Sequence, residues 1–95
     1  MNEHALGRKV EKYLDACAPG VCYEKRSPEA GRSGVADYVG CAWGRYFAIE
    51  IKHPQTKPKP RKDQRFFLDR VRAAGGATLE AWSLEDVQPF IERLK

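Results

Sequence analysis

The sequence contains no long apolar run. Nowhere do apolar residues approach the roughly 18 consecutive positions that a membrane-spanning helix requires. The first residues also lack the basic stretch followed by an apolar stretch that marks a secretory signal. These absences predict a protein that has no membrane partner and works in the cytoplasm.

Cysteine is scarce as well. The three cysteines, Cys17, Cys22 and Cys41, form an odd number without the spacing of a disulfide framework. A zinc site would need four ligands drawn from these thiols, His4 and His53, and the sequence has no CxxC or HxxxH pairing. We therefore expect no structural zinc and interpret the thiols as buried or chemically neutral.

The apolar residues that are present suffice for one modest core. Hydrophobic residues make up 42% of the 95 positions, which is typical of a folded domain and argues against disorder. The sequence has no internal repeats. We therefore expect residues 1–95 to form a single domain.

Positive charge is concentrated in one segment of the chain, whose net charge is +4. Residues 53–72 contain seven Lys and Arg against two Asp, a net charge of +5, so the remainder carries −1. Such a concentration favours a polyanionic partner, nucleic acid first. A solvated basic loop that only aids solubility is the alternative.

Hydrophobic periodicity predicts the order helix, three strands, helix, strand, helix, which is an α/β layer architecture. Asp63 and Ser83 are the expected N-caps of the second and third helices, and Gly75-Gly76 is the expected stop of the second. The predicted elements are a helix from Leu6 to Cys17, strands Val21–Arg26, Val35–Cys41 and Arg45–Lys52, a helix from Gln64 to Ala74, a strand Ala77–Trp82 and a helix after Ser83.

The third predicted strand has the clearest alternation. Its apolar residues Phe47, Ile49 and Ile51 share one face, while Glu50 and Lys52 share the other. A two-residue Trp-Gly turn joins this strand to the one before it. The two strands are therefore expected to form a hairpin.

The acidic residues of the first helix fall into two groups. At about 100° per residue, Glu3 lies inside the arc of apolar residues. It either belongs to a frayed first turn, where the helix dipole favours an acid, or it has a function. Glu11 and Asp15 are expected to point well away from the apolar arc.

The feature that carries chemistry is Asp37, followed after twelve residues by Glu50 and, two positions later, Lys52. The hairpin can bring Asp37 beside Glu50, and two adjacent carboxylates repel each other unless a cation lies between them. Two hard oxygen ligands with several retained waters suit Mg²⁺. Lys52 could then orient water or stabilise charge on a phosphate. The alternative is an ion pair of Lys52 with Glu50 or Asp37 on a solvated sheet face.

The sequence around these residues resembles the VRR-NUC family of the PD-(D/E)xK nuclease superfamily. An Asp strand flanked by glycines, an E-x-K strand, a Gln at the start of the next helix and a Gly-Gly before the last strand follow in that order. Ala36 departs from the family pattern, because a proline usually precedes the Asp. The stretches that carry the resemblance are Gly34–Gly40, Gly44–Lys52, Lys62–Leu68 and Ala74–Ala77.

The resemblance implies a restriction-endonuclease-like core, with a mixed sheet flanked by helices, and a role for each matching position. Asp37 and Glu50 match the metal-binding carboxylates, with the Ile51 carbonyl as a further ligand. Lys52 matches the motif lysine, and Gln64 the glutamine that faces the site. Glu3 matches the acid of the first helix that can contact the metal. The implied cofactor is Mg²⁺ or Mn²⁺.

Together these features predict a metal-dependent endodeoxyribonuclease that hydrolyses phosphodiesters by direct attack of water, in a bacterial or phage-infected cytoplasm. A non-catalytic DNA-binding module and a domain that binds only protein are the alternatives. Structure-specific cleavage of branched or Holliday-junction DNA by a homodimer is the extended expectation. The expected DNA contacts are Arg32, Lys57, Lys59, Arg61, Lys62 and Arg65. For Arg32, a flexible surface arginine without such a role is the alternative. The expected dimer patch draws on Trp43, Trp82, Phe66 and Phe67.

Overall fold

The computed structural model describes residues 3–26, 36–52 and 62–95, and all of their side chains except those of residues 3, 4 and 62–65. The predicted element order is confirmed. Within the described ranges, no helix has the length and apolar character needed to cross a membrane. The elements are α1 (Glu3–Ala16), β1 (Val21–Lys25), β2 (Tyr38–Ala42), β3 (Arg45–Ile51), α2 (Lys62–Ala73), β4 (Ala77–Ala81) and α3 (Leu84–Glu92).

The strands form one mixed sheet in the order β1-β2-β3-β4. β1, β2 and β3 are antiparallel neighbours, and β4 runs parallel to β3. Trp43 and Gly44 form the predicted hairpin turn with φ values of 46° and 87°, the left-handed backbone of a type I′ turn. The parallel pairing of β4 requires a crossover, which α2 provides.

Helices cover both faces of the sheet, as the fold-class prediction requires. α1 and α3 pack on the face that carries Phe47, Ile49 and Ile51, and together they form the main core. On the opposite face, Leu68 and Val71 of α2 form a smaller cluster with sheet residues that include Ala48. The alternation of β3 therefore separates two cores, and Glu50 lies on the α2 face.

Helix ends follow the predicted chemistry with one correction. Gly75 has φ 95°, and the Gly76 N–H donates to the Val71 carbonyl at 2.9 Å, which ends α2 in the expected way. The Ser83 side chain accepts from the Asp86 N–H, so α3 begins at the predicted cap. α2 begins at Lys62, so Asp63 lies within the first turn and is not the N-cap. An acid is favoured there too by the helix dipole.

The acids of α1 make contacts that their positions on the helix did not predict. Glu11 accepts a hydrogen bond from the Tyr38 hydroxyl at 2.6 Å and lies 3.5 Å from the Lys25 ammonium. Asp15 accepts from the Tyr23 hydroxyl at 2.9 Å. Glu11 is half-buried and Asp15 is exposed, and the long side chains of Tyr38 in β2 and Tyr23 in β1 reach them. The flank of an amphipathic helix is therefore polar but not free of contacts.

Two expectations about exposed aromatics also change. Trp43 is only partly exposed, because it packs against the main core and the Lys95 ammonium lies 5.4 Å from its ring centroid. Phe67 packs against the smaller core and so leaves the expected patch, whereas Phe66 is 58% exposed. Trp82 is 53% exposed. Trp43 is therefore not a free surface aromatic, and Phe66 and Trp82 remain.

Candidate active site

The antiparallel pairing of β2 with β3 brings Asp37 and Glu50 together. Tyr38 pairs with Ile49, so Asp37, one residue earlier, lies across from Glu50. The Ile51 N–H donates to Asp37 Oδ2 at 2.7 Å. Because the carboxylate takes this donor, backbone pairing between the two strands stops here. β2 consequently begins at Tyr38, three residues later than the sequence predicted.

Glu50 is a buried carboxyl group with an incomplete set of partners. Its exposed fraction is 3%, and its Oε1 atom has no hydrogen-bond partner among the described residues. Burial raises the pKa of Glu50 from its ordinary value of 4.5 to about 9. A hydrogen bond with Asp37 and the charge of Asp37 add to this rise, and the charge of Lys52 opposes it. Ionising such a buried carboxyl group is costly unless a nearby cation compensates the negative charge.

The donor set fits a hard divalent cation. Asp37 and Glu50 offer carboxylate oxygens, one of them buried and without a partner in the part of the chain that the structure describes. No third His, Cys, Asp or Glu joins them in a metal-ligating cluster within the described part of the chain. Mg²⁺ accepts such a site, because it binds few carboxylates and retains several waters. Ile51 ends β3 next to Glu50, which places its carbonyl at the same end of the sheet.

Lys52 follows β3 at the same end of the sheet and is 16% exposed at its side chain. Its N–H donates to the Ala81 carbonyl of β4 at 2.8 Å, which continues the strand pairing by one residue. Its ammonium lies 3.8 Å from Glu80 Oε1. The ion-pair alternative named Glu50 or Asp37 as the partner of Lys52; the salt bridge that the structure contains is to Glu80.

Glu80 is the residue that sequence reasoning missed. It lies directly beside Glu50 in the parallel β3–β4 pairing, and partners in such a pairing point to the same face of the sheet. The sequence did indicate that Glu80 lies on the polar face of a strand, because Thr78 and Glu80 alternate with apolar residues. Only the register of β4 against β3, which alternation does not specify, shows that Glu80 lies beside the candidate site.

A cleft of about 380 Å³ opens between α2 and β4 and reaches Glu80. It offers open space beside the Lys52–Glu80 pair on the polar side of the sheet. Its lining residues are Leu68, Asp69, Arg72, Thr78, Leu79 and Glu80.

Several residues proposed for the site lie outside the described side chains. Gln64, Lys62 and Arg65 belong to the first turn of α2 by their backbone, and Glu3 is the first residue of α1, but their side chains are not described. The structure therefore brings together Asp37, Glu50, Ile51 and Lys52. Four further basic residues, Arg32, Lys57, Lys59 and Arg61, lie outside the described ranges altogether.

Comparison with known proteins finds similarity among solved structures. No protein-family model matches the chain, and no curated protein matches it significantly. A solved structure described as a "VRR_NUC domain" has a TM-score of 0.72 and 27% sequence identity. The similarity covers 98% of this chain and 97% of that one. The shared fold over nearly the whole of both chains, with identity on this scale, supports assignment of this chain to the VRR-NUC family.

Proposed function

We propose that this protein is a Mg²⁺- or Mn²⁺-dependent endodeoxyribonuclease with Asp37, Glu50 and Lys52 in its active site. The similarity to a VRR_NUC domain indicates a nuclease-type, DNA-processing domain. The observation that carries the finer proposal is the buried Glu50 carboxyl group, whose Oε1 lacks a partner among the described residues while Asp37 lies beside it. A buried polar atom without a partner calls for an explanation, and a bound ion that completes its contacts is one.

Each residue has a distinct role in this proposal. Asp37 and Glu50 would hold the cation, and the Ile51 carbonyl would complete the protein ligands. The Ile51 N–H fixes the Asp37 carboxylate, so the ligand geometry is set before DNA binds. A bound divalent ion supplies Lewis-acid polarisation of the phosphate and activation of water. Lys52 orients the attacking water or stabilises the negative charge that develops on the phosphate.

Glu80 is proposed as a positioning residue. A lysine on a flexible four-carbon stem loses conformational freedom when it acts, and a partner carboxylate lowers that cost by holding the ammonium in place. Glu80 is 41% exposed at its side chain, so solvent screens the pair. The pair therefore contributes little to stability and more to the direction in which Lys52 points.

DNA contact is proposed for the basic segment of residues 53–72 and for an arginine cleft at the opposite end of the sheet. That cleft, of about 490 Å³, contains Arg45, Arg72 and Arg93, and the described residues of its lining include no acid. Arg72 also pairs with Asp69, which leaves Arg45 and Arg93 as the stronger candidates for phosphate contact. Such contacts grip the backbone without reading bases.

The test is cleavage of a DNA panel by the full chain with Mg²⁺, Mn²⁺ or EDTA. Supercoiled plasmid, linear duplex, a flap and a four-way junction distinguish the substrate classes. We expect cleavage with either metal, none with EDTA, and a loss of roughly a thousandfold in Asp37→Asn. Glu85→Gln removes an exposed acid on α3 and should leave the rate unchanged. DNA binding without cleavage by the unaltered protein would instead identify a non-catalytic DNA-binding module.

A homodimer acting on branched DNA is the extended proposal. Symmetrical cleavage of a junction needs two active sites related by a two-fold axis, which one 95-residue domain does not contain. Phe66 and Trp82 are large exposed aromatics suited to a self-complementary patch. Sedimentation at micromolar concentration should give the mass of a dimer. A monomer, both alone and with junction DNA, would contradict the proposal.

A further inference from the structure

Two of the three cysteines face each other across the sheet. Cys22 of β1 and Cys41 of β2 are direct register partners, so their side chains point to the same face. Both are exposed and both are free thiols. Of the two expected states, buried or chemically neutral, the buried one does not apply to this pair. Their separation of nineteen positions in sequence hid their proximity in the sheet.

The backbone places the pair at a spacing that a disulfide can bridge. The Trp43 N–H donates to the Gly20 carbonyl and the Arg26 N–H to the Asp37 carbonyl, at 2.8 and 2.7 Å. Antiparallel pairs alternate in type, so Cys22 and Cys41 occupy a hydrogen-bonded position with Cα atoms about 5.5 Å apart. Disulfides in proteins span Cα separations of about 4.4–6.8 Å.

The surroundings leave this pair accessible to small reagents. β1 is an edge strand, and α2 packs against β3 and β4 on the other side of the same face. Cys17, by contrast, is half-buried and packs against the main core, on the face covered by α1 and α3. The third thiol is thus separated from the pair by the sheet.

We propose that Cys22 and Cys41 are a modification site that forms a reversible cross-strand disulfide with a low-molecular-weight disulfide such as oxidised glutathione. One thiolate attacks the small disulfide, forms a mixed disulfide and releases one small thiol. The second thiolate then attacks the protein sulfur of the mixed disulfide and releases the second small thiol. The two protein sulfurs are oxidised, and the small disulfide is reduced to two thiols.

Formation of this bond joins β1 to β2 covalently. The bridge encloses residues 23–40, including the connection that leads to Asp37 at the start of β2. Cross-linking restricts the unfolded chain over this loop, so the oxidised protein should resist unfolding better than the reduced protein. Opposed β pairs hold their Cβ atoms about 4.5–5.5 Å apart, and a hydrogen-bonded pair lies toward the wide end. A relaxed disulfide prefers about 3.5–4.5 Å, so the strands must approach each other to form the bond, and the strained bond is readily reducible.

The test incubates the full chain at pH 8 with about 1 mM glutathione disulfide, followed by intact mass measurement and peptide mapping. We expect the internal Cys22–Cys41 bond to exceed mixed glutathione adducts at these two sites by at least about tenfold, because the partner thiol is held at high effective concentration. Excess dithiothreitol should reverse it. The oxidised protein should also unfold at a higher urea concentration than the reduced protein.

Matched variants make the outcome decisive. Cys17→Ser should form the bond as the unaltered chain does, and Cys22→Ser should instead accumulate a glutathione adduct on Cys41. Separate adducts on Cys22 and Cys41 in the unaltered chain, without the internal bond, would overturn the proposal. So would a disulfide that involves Cys17 in its place.

Discussion

Replacement of Glu50 by glutamine should make the metal-free protein more stable, by an amount that depends on pH. Folding raises the pKa of Glu50 from 4.5 to about 9. Between these values the folded chain holds a proton that the unfolded chain releases, so stability falls as pH rises. The slope for one such group is about 1.4 kcal/mol per pH unit. At pH 7 the loss relative to pH 4 is on the order of 3 kcal/mol.

Urea unfolding in EDTA, at several values between pH 5 and pH 8, measures this effect. The free energy of unfolding of Glu50→Gln minus that of the unaltered protein should grow by about 4 kcal/mol over this range, since glutamine does not titrate. The subtraction cancels the titration of groups that both proteins share. Glu85→Gln, which alters an exposed acid of α3, is the matched control and should differ from the unaltered protein by a constant amount.

A pH-independent difference in unfolding free energy between Glu50→Gln and the unaltered protein would contradict this prediction. It would mean that Glu50 ionises as easily in the folded chain as in the unfolded chain. The carboxyl group would then need no cation to compensate it, and the main physical argument for a metal at this position would be lost.

Three further predictions concern turnover and DNA binding. Lys52→Ala should lower turnover by a hundredfold or more, about 3 kcal/mol, with metal and DNA affinity little changed; turnover within a few fold of the unaltered protein would favour a purely structural ion pair. Glu80→Gln should lower kcat several-fold without changing Mn²⁺ affinity, and Glu80→Asp should recover part of the loss; equal kcat in all three proteins would remove its positioning role. Neutralising the four basic residues of 57–62 should weaken binding to all DNA sequences alike and reduce the salt slope by about one unit per lost phosphate contact; an unchanged slope would mean that this segment does not touch DNA.

The fold was predictable because local and global signals agree along most of the chain. The alternation of β3 separated its apolar face from Glu50 and Lys52, and the structure places those faces on two different cores. The Trp43-Gly44 pair has the backbone of the predicted turn. The start of β2 shifted because the Asp37 carboxylate accepts the Ile51 N–H, which would otherwise pair with the backbone of β2. Strand propensity contains no information about such a side-chain hydrogen bond.

The parts of the candidate site that depend on how the strands are aligned were harder to predict from the sequence. The hairpin turn fixes the pairing of β2 with β3, so the approach of Asp37 to Glu50 could be expected. The parallel strand β4 is joined by a crossover, and no turn sets its register, so the position of Glu80 was hidden. The opposition of Cys22 and Cys41 was hidden for the same reason, because a long connection joins β1 to β2.

Asp37 and Glu50 are proposed to hold one divalent cation together. Titration calorimetry with Mn²⁺ tests this directly on the unaltered protein, Asp37→Asn, Glu50→Gln and the control Glu85→Gln. We expect one Mn²⁺ per chain for the unaltered protein and the control, and at least a tenfold lower affinity, about 1.4 kcal/mol, for each of the two site variants. Equal Mn²⁺ affinity in all four proteins would contradict it.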